Sequence, residues 1–522
     1  MALEAIFREN GSNVAVELYF GYKRSSRQET ASQEQQRILR KTSHTVCKFL
    51  EGLASWQTFP IPKEDVCARG VERPIFHPMN NPNPSRRRFI LQSGKLVAAG
   101  AAASITGPFL LSAEKGSPNE RPRYGAIGVG GRGTSIANAA RRFADIVGVC
   151  DLDTQRTDRV IKALSQGKAD GYQDYRKLLE RKDIDFVTIG TTDHWHTRVA
   201  IHAMRAGKDV YCEKPLTLTI EEGKQICKVV KETGRVFQVG TQQRTEMGRK
   251  FLQAIGIIRE GRIGKIKKVT CDIGGGPKGG PFKKSDPPAN IDWNTWLGQA
   301  PLVDYIKERC HYQFRWWYEY SGGKMTDWGA HHVDIAQWAL DQSGEGQGPL
   351  TIDPIIGDHP IPLKNGMPTK DNHYNTSHNF HIRCGFPDDV EMNIVSRSKD
   401  GNGILFEGSE GNIFVSRGKL RGDAVNGLKE KPLESDTIKK IYKGKNPTSH
   451  MENFYQCVQD RKHPISDVFT HHRAMTTCHL ANISIRLGRK LKWDPKKEQI
   501  VGDKDANAWQ SRKQRKGFET DV

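Results

Sequence analysis

One stretch constrains this chain more than any other: Tyr124–Asp151 reads YGAIGVGGRGTSIANAARRFADIVGVCD. An apolar run, a glycine turn, a helical segment and a second apolar run closed by an acid predict strand, turn, helix and strand in succession. Gly128, Gly130 and Gly133 stand in the G-x-G-x-x-G spacing. The first allows a tight turn, the second lets the backbone reach a pyrophosphate, and the third packs helix on strand. Gly131 and Arg132 belong to the same turn, and the pyrophosphate is expected on the helix N-terminus they open. An isolated glycine triplet says little; the strand–turn–helix–strand setting gives it weight. Asp151 follows the first glycine by about 20 residues, where a carboxylate accepts from a ribose 2′-hydroxyl and repels a 2′-phosphate. NAD is therefore favoured over NADP, with Arg156 and Arg159 the residues that leave room for the latter.

Upstream, Ser85-Arg86-Arg87-Arg88-Phe89-Ile90-Leu91 precedes an uncharged, Ala/Gly-rich stretch from Leu96 to Ser112. This looks like a twin-arginine export signal. The stretch is short and interrupted by Gly100, Gly107 and Pro108, which suits a signal peptide better than a stable membrane span. Cleavage after Ala113 is expected, with residues 79–113 as the signal, the twin-arginine translocase as a transient partner and the periplasm as destination. Residues 1–78 show mixed charge and no sustained period, and translation is expected to start at Met79.

About 400 residues remain, enough for two domains. Eight cysteines lie in that portion without a C-x-x-C pair, so neither a zinc knuckle nor a disulfide framework is indicated. The net charge of +20 invites a nucleic-acid reading. The basic residues are dispersed, however, and no helix-turn-helix, zinc-finger or aromatic RNA-binding signature accompanies them, so a solvated basic surface is expected and no nucleic-acid partner.

Beyond Asp151, short apolar strands alternate with helical stretches: Phe186–Ile189, Val199–Ala206, Asp209–Cys212, Ile220–Thr233 and Val236–Val239. This is a parallel βαβ succession, placing a dinucleotide-binding domain at 121–240. Ligands bind beyond the carboxyl ends of such strands. The polar clusters there, Thr191-Thr192-Asp193-His194-Trp195-His196 and Glu213-Lys214-Pro215, make Thr191, Thr192, His196, Glu213 and Lys214 candidates to face the cofactor.

At these motifs the chain resembles the glucose–fructose oxidoreductase / inositol dehydrogenase / MocA (Gfo/Idh/MocA) family, from about Pro122 to Pro495. The resemblance rests on the glycine fingerprint, Thr191–His196, Gly207–Pro215 (GKDVYCEKP) and Gly322–Asp334 (GGKMTDWGAHHVD). Thr192 is a departure, standing where the family often has proline. The resemblance implies an α/β chain: an N-terminal Rossmann domain followed at 241–495 by an α+β domain with an open, mostly antiparallel sheet. That sheet serves the family as substrate wall and oligomer face, so a homo-oligomer is expected. Sequence supports strands at Ile266–Ile273, His378–Cys384, Val390–Ser396, Gly403–Gly408 and Asn412–Val415, and a polar tail over 496–522 that wraps the surface.

Lys214, Asp327 and His331 carry the chemistry that the resemblance implies, hydride exchange between a nicotinamide and a sugar or cyclic polyol. An ammonium near the nicotinamide can stabilise negative charge on a carbinol oxygen. Asp327 and His331 stand at i and i+4 on a segment predicted helical to Leu340, so they share a face. An imidazole there can take the hydroxyl proton while the carboxylate orients it. His332 is adjacent to His331, but neighbours on a helix point about 100° apart and no third ligand follows at zinc spacing, so no metal is expected. His471-His472 reads as an exposed pair. Sugars stack on aromatic rings and bind guanidinium groups, which makes Arg315 and Trp317, in the aromatic segment Trp293–Tyr320, substrate-side candidates together with His332.

Export to a compartment with little free NAD argues for a tightly retained cofactor and a redox-neutral cycle. The alternative reading is an NAD-dependent glycosidase or lyase that oxidises, eliminates and re-reduces. It needs a second base, for which Tyr318 or His332 stand in suitable positions.

Overall fold

The computed structural model describes residues 4–10, 13–19 and 121–520. The chain divides into two units, Met1–Leu110 and Leu111–Val522. In the first, strands Glu4–Asn10 and Asn13–Tyr19 form an antiparallel hairpin with Asn10 opposite Asn13. The export signal read at 79–113 lies outside the described residues. Among the described residues no helix is long and apolar enough to cross a membrane.

The second unit begins with a six-stranded parallel sheet. Its order is Asp170–Tyr172, Asp145–Cys150, Arg123–Ile127, Phe186–Ile189, Asp209–Glu213, Phe237–Gly240. The four strands from Arg123–Ile127 to Phe237–Gly240 are short runs buried on both faces, as a helix-covered parallel sheet requires, while the edge strand Asp170–Tyr172 is largely exposed. The order reverses between Arg123–Ile127 and Phe186–Ile189, and a ligand crevice opens at such a switch point. Helix Ile220–Thr233 shows how punctuation sets the limits: Thr219 accepts from the Glu222 N–H at its start, and Gly234 takes a left-handed conformation at its end.

A nine-stranded mixed sheet follows, ordered Leu420–Arg421, Asn412–Val415, Gly403–Gly408, Ile266–Asp272, Glu391–Val395, Asn379–Gly385, Thr351–Asp358, Leu491–Asp494, Gln499–Ile500. Ile266–Asp272 and Glu391–Val395 pair in parallel; the other neighbours are antiparallel. The expected strands are present with ends shifted by about one residue.

Helix Val468–Leu487 is buried nearly all round, a pattern that belongs to a helix enclosed by other elements. This corrects the expected exposed pair: His471 is buried with Nδ1 3.2 Å from Asp334 Oδ1, and His472 Nε2 lies 3.2 Å from Glu498 Oε2. Helix His450–Asp460 returns to the first sheet, setting the Phe454 ring 5.4 Å from Phe186 and 5.8 Å from Tyr211. The tail beyond 495 likewise does more than wrap the surface. It supplies strand Gln499–Ile500 and helix Lys504–Ala508, and its polar residues bond into the body: Arg512 donates to the Tyr318 carbonyl at 2.8 Å, and Thr520 Oγ1 meets Gln225 Oε1 at 3.0 Å.

Candidate active site

The glycine turn runs from strand Arg123–Ile127 into helix Gly131–Ala140. Two of its glycines are dictated by close approach. A Cβ on Gly128, whose φ is +74°, would meet the Thr191 backbone N at 2.5 Å, and one on Gly133 would lie 1.8 Å from the Gly128 carbonyl oxygen. A Cβ on Gly131 would meet nothing within 4 Å. Gly130 caps the helix without a side-chain partner for its free N–H groups, which leaves them available to an anion.

Asp151 ties this turn to the next strand. Its Oδ2 accepts from Val129 N at 2.8 Å and its Oδ1 from Asp153 N at 3.0 Å. Burial raises its carboxyl above the usual range against those bonds and the nearby Arg156. Arg156 pairs with Asp153 at 3.3 Å.

A cavity of about 560 Å³ extends from this turn. Gly128, Gly130, Gly131, Arg132 and Asp151 line it on one side; Thr191, Thr192, Glu213 and Lys214 line it at the strand ends; Arg315 and Asp327 close it. Gly133 stands behind the wall, as its packing demands. Glu213 Oε1 accepts from Arg132 Nε and Gln242 Nε2, both at 2.9 Å, while its buried Oε2 has no partner. The bare turn, the uncapped helix end, the acid at the second strand and this spare acceptor suit a dinucleotide.

At the inner end, Lys214 Nζ donates to Asp327 Oδ1 at 2.6 Å and to the Asp327 carbonyl at 3.2 Å. Arg315 Nη1 reaches Asp327 Oδ2 at 3.3 Å. These cations hold the Asp327 carboxyl below its ordinary range although burial works against them. Asp327 ends the short helix Lys324–Asp327, and after Trp328 the helix Gly329–Leu340 carries His331. His331 is buried with Nδ1 unpartnered, and burial, reinforced by the Lys214 charge, pushes its pKa well below the ordinary histidine value. Among the described residues no hydrogen bond joins Asp327 to His331. The expected direct orientation is replaced by a carboxylate spent on two cations.

His331 does not itself line the cavity, and four other candidates lie elsewhere. His196 does not line the cavity: Nδ1 is 2.6 Å from the Pro215 carbonyl and Nε2 3.2 Å from that of Thr191, so it braces both cofactor-side loops from behind. Trp317 is fully buried, its Nε1 donating to the Glu308 carbonyl and the Arg309 guanidinium 4.0 Å from its ring centre. His332 is fully buried between Gln243 and Asn402, because the helix turns it away from the face of His331. Tyr318 bonds His359 at 3.0 Å and is not in the cavity.

Two contributors escaped the sequence reading. Asp193 lines the cavity, accepts from Ser321 Oγ at 2.5 Å, and is pushed by burial to about 7; it lay inside a quoted motif without an assigned role. Gly517 and Phe518 form cavity wall from the far end of the chain. Arg198 donates to the Gly517 carbonyl at 2.9 Å, and Phe518 lies 4.6 Å from the Arg515 guanidinium and 6.2 Å from the Trp195 ring. Only the Phe518 aromatic itself signals this contact in sequence.

Residues 122–241 match the family described as "Oxidoreductase family, NAD-binding Rossmann fold", and residues 280–520 match "Oxidoreductase family, C-terminal alpha/beta domain". Among curated proteins, the Alpha-N-acetylgalactosaminidase of Shewanella oneidensis is 30% identical over 213 residues, 35% of this chain and 44% of that protein. A glycosyl hydrolase family 109 protein of Shewanella pealeana is 31% identical over 205 residues, again 44% of its length. The chain thus spans under half the length of these relatives. Among solved structures, the WlbA dehydrogenase of Chromobacterium violaceum, in complex with NADH and UDP-GlcNAcA, is 16% identical with a TM-score of 0.52 over 72% of this chain and 97% of that one. The aldose-aldose oxidoreductase of Caulobacter crescentus is 16% identical with a TM-score of 0.50 over 72% and 100%. Both are likenesses of fold.

Proposed function

The chain belongs to the Gfo/Idh/MocA oxidoreductase family, and from that premise we propose that it moves hydride between a secondary alcohol carbon of a sugar or cyclic polyol and NAD. The observation that carries this reading is the 2.6 Å Lys214–Asp327 pair on the cavity wall, one residue before the helix that bears His331. Bound NAD supplies the hydride acceptor. Lys214 donates to the carbinol oxygen and stabilises its negative charge as the proton leaves. His331, kept neutral, accepts that proton. Asp327 stays ionised and fixes Lys214 and Arg315 in place. The Asp151 carboxylate receives the adenosine ribose and selects NAD.

The wall formed by Gly517 and Phe518 supports a retained cofactor. Export by the twin-arginine route to the periplasm rests on Ser85–Leu91 and the uncharged stretch after it. Identifying the dinucleotide released on denaturing protein purified without added nucleotide tests retention. A panel of sugars and polyols deuterated at the carbinol carbon then tests the chemistry. Deuterium appearing on the nicotinamide supports the reading, and its absence across substrates that demonstrably bind overturns it.

The names borne by the Shewanella relatives favour a second reading, glycoside cleavage through transient oxidation. Of the acids and bases considered for the extra proton step, Asp193 is on the cavity wall whereas Tyr318 and His332 are bonded away from it. Aglycone release without net NADH would distinguish this cycle.

A further inference from the structure

The reacting centre carries more positive charge than hydride transfer uses. Lys214 and Arg315 pair with Asp327 at 2.6 and 3.3 Å. Two more cations stand at Trp328, the residue after that carboxylate: Lys324, at the start of its short helix, and Arg417, in the turn after strand Asn412–Val415. Both are half-buried. Lys324 Nζ lies 5.5 Å and the Arg417 guanidinium 4.5 Å from the centre of the Trp328 ring, and His331 stacks edge-on at 6.2 Å from that ring. Arg417 Nε donates to Gln243 Oε1 at 3.0 Å, a neutral partner. Among the described residues neither Lys324 nor Arg417 has an ion pair. Burial lowers the pKa of both, against the pull of Asp327.

Asp327 is spent on Lys214 and Arg315, and a half-buried cation left without a counter-charge costs free energy that the fold does not recover. The pyrophosphate of the cofactor is not the missing anion. Neither Lys324 nor Arg417 lines the cofactor cavity, where Arg132 and the uncapped helix end already serve. Both stand instead at Trp328, on whose ring His331 also packs.

We propose that the substrate is a sugar bearing an anionic substituent, a carboxylate or a sulfate ester, held by Lys324 and Arg417 beside Trp328. This rests on the Lys214–Asp327 site being the reacting centre. A guanidinium supplies a two-donor fork to such a group and an ammonium a compact charge.

Binding to the NAD-loaded, full-length protein tests this by calorimetry, using glycosides in matched sets: methyl glucoside, methyl glucuronide and methyl glucoside 6-sulfate, with the corresponding galactosides. The anionic members of at least one set should bind ten times more tightly than the neutral member. That preference should shrink as salt rises and collapse in Lys324→Met and in Arg417→Met, each checked for retained NAD and unchanged unfolding temperature. Arg417→Lys should keep part of it, which covers the case in which Arg417→Met misfolds. Preference for the uronide identifies a carboxylate and for the sulfate a sulfate ester. Neutral members binding as well as anionic ones, no anionic member binding, or preference surviving both substitutions overturns the proposal. Failure here with deuterium transfer from a neutral sugar leaves the oxidoreductase reading standing. Anion preference without any hydride transfer leaves this inference standing and removes that reading.

Discussion

Lys214 and Asp327 meet at 2.6 Å across 113 residues of chain, joining the end of a parallel strand to the short helix Lys324–Asp327. The ammonium keeps two anchors on that residue, a carboxylate oxygen and a main-chain carbonyl. Its third proton is left to the cavity. Lys214→Met should lower turnover on the order of 10²–10³-fold, the cost of losing a preorganised donor at a developing oxyanion, while NAD content stays intact. Single-turnover hydride transfer on NAD-loaded protein measures it.

Gly133 and Gly131 separate packing from contact. Gly133→Ala drives a methyl into the Gly128 carbonyl and should abolish NAD retention, with a lowered unfolding temperature; Gly131→Ala meets open space and should fold normally. Nucleotide release from the two variants, side by side, checks the geometry of the turn.

Asp151→Asn removes the charge but keeps the size, so the Val129 and Asp153 amides retain an acceptor on one side. A hydrogen bond to a charged group contributes about 1.5–3 kcal/mol, so NAD affinity should fall by about 10- to 100-fold and the discrimination against NADP should narrow. Equilibrium binding of both dinucleotides reads this out.

Phe518→Ala opens the wall that Arg198, Arg515 and Trp195 support. Aromatic contacts of this kind contribute about 0.5–1.5 kcal/mol, so NAD should dissociate roughly two- to tenfold faster, with turnover at saturating NAD unchanged. Stopped-flow dissociation decides it.

The fold should be acid-labile well above the carboxylate range. Burial depresses His196, His332 and His450 to about 4 and His331 further below its ordinary value. Between about 6.5 and 4 the unfolded chain binds protons that the folded one refuses, so stability falls as pH drops, by about 1.4 kcal/mol per pH unit for each such imidazole. Asp193, raised to about 7, holds its proton in the fold and works in the opposite sense over much of that window. Asp151 and Glu222, also raised by burial, join it, but the buried imidazoles outnumber these acids and leave the net slope downward. Urea unfolding at pH 7, 6 and 5 should show it, and a stability independent of pH there would contradict the buried neutral histidines.

Sequence alone determined the dinucleotide half of this protein. A glycine turn, the alternation of apolar strand and helix, and the acid after the second strand are local patterns, and each acts through neighbours within about 30 residues. The strands of the second sheet were legible for the same reason, since each is a short apolar run; their order was not, because pairing across the sheet leaves no mark on any one strand. The motifs also brought Asp327 and Lys214 forward as chemistry, and the aromatic segment brought Arg315. Tertiary structure decided which candidates share a cavity. It withdrew Trp317, His332 and His196, which do not line that cavity and whose polar atoms are satisfied by carbonyls and amides. It added Asp193 and Phe518 to the cavity wall, the latter held by Arg198 from 319 residues away at the neighbouring Gly517, and set Arg417 beside Trp328. Burial and charge balance are sums over everything that packs around a group, so the protonation of His331 and the surplus of cations around Asp327 exist only once the chain has closed on itself.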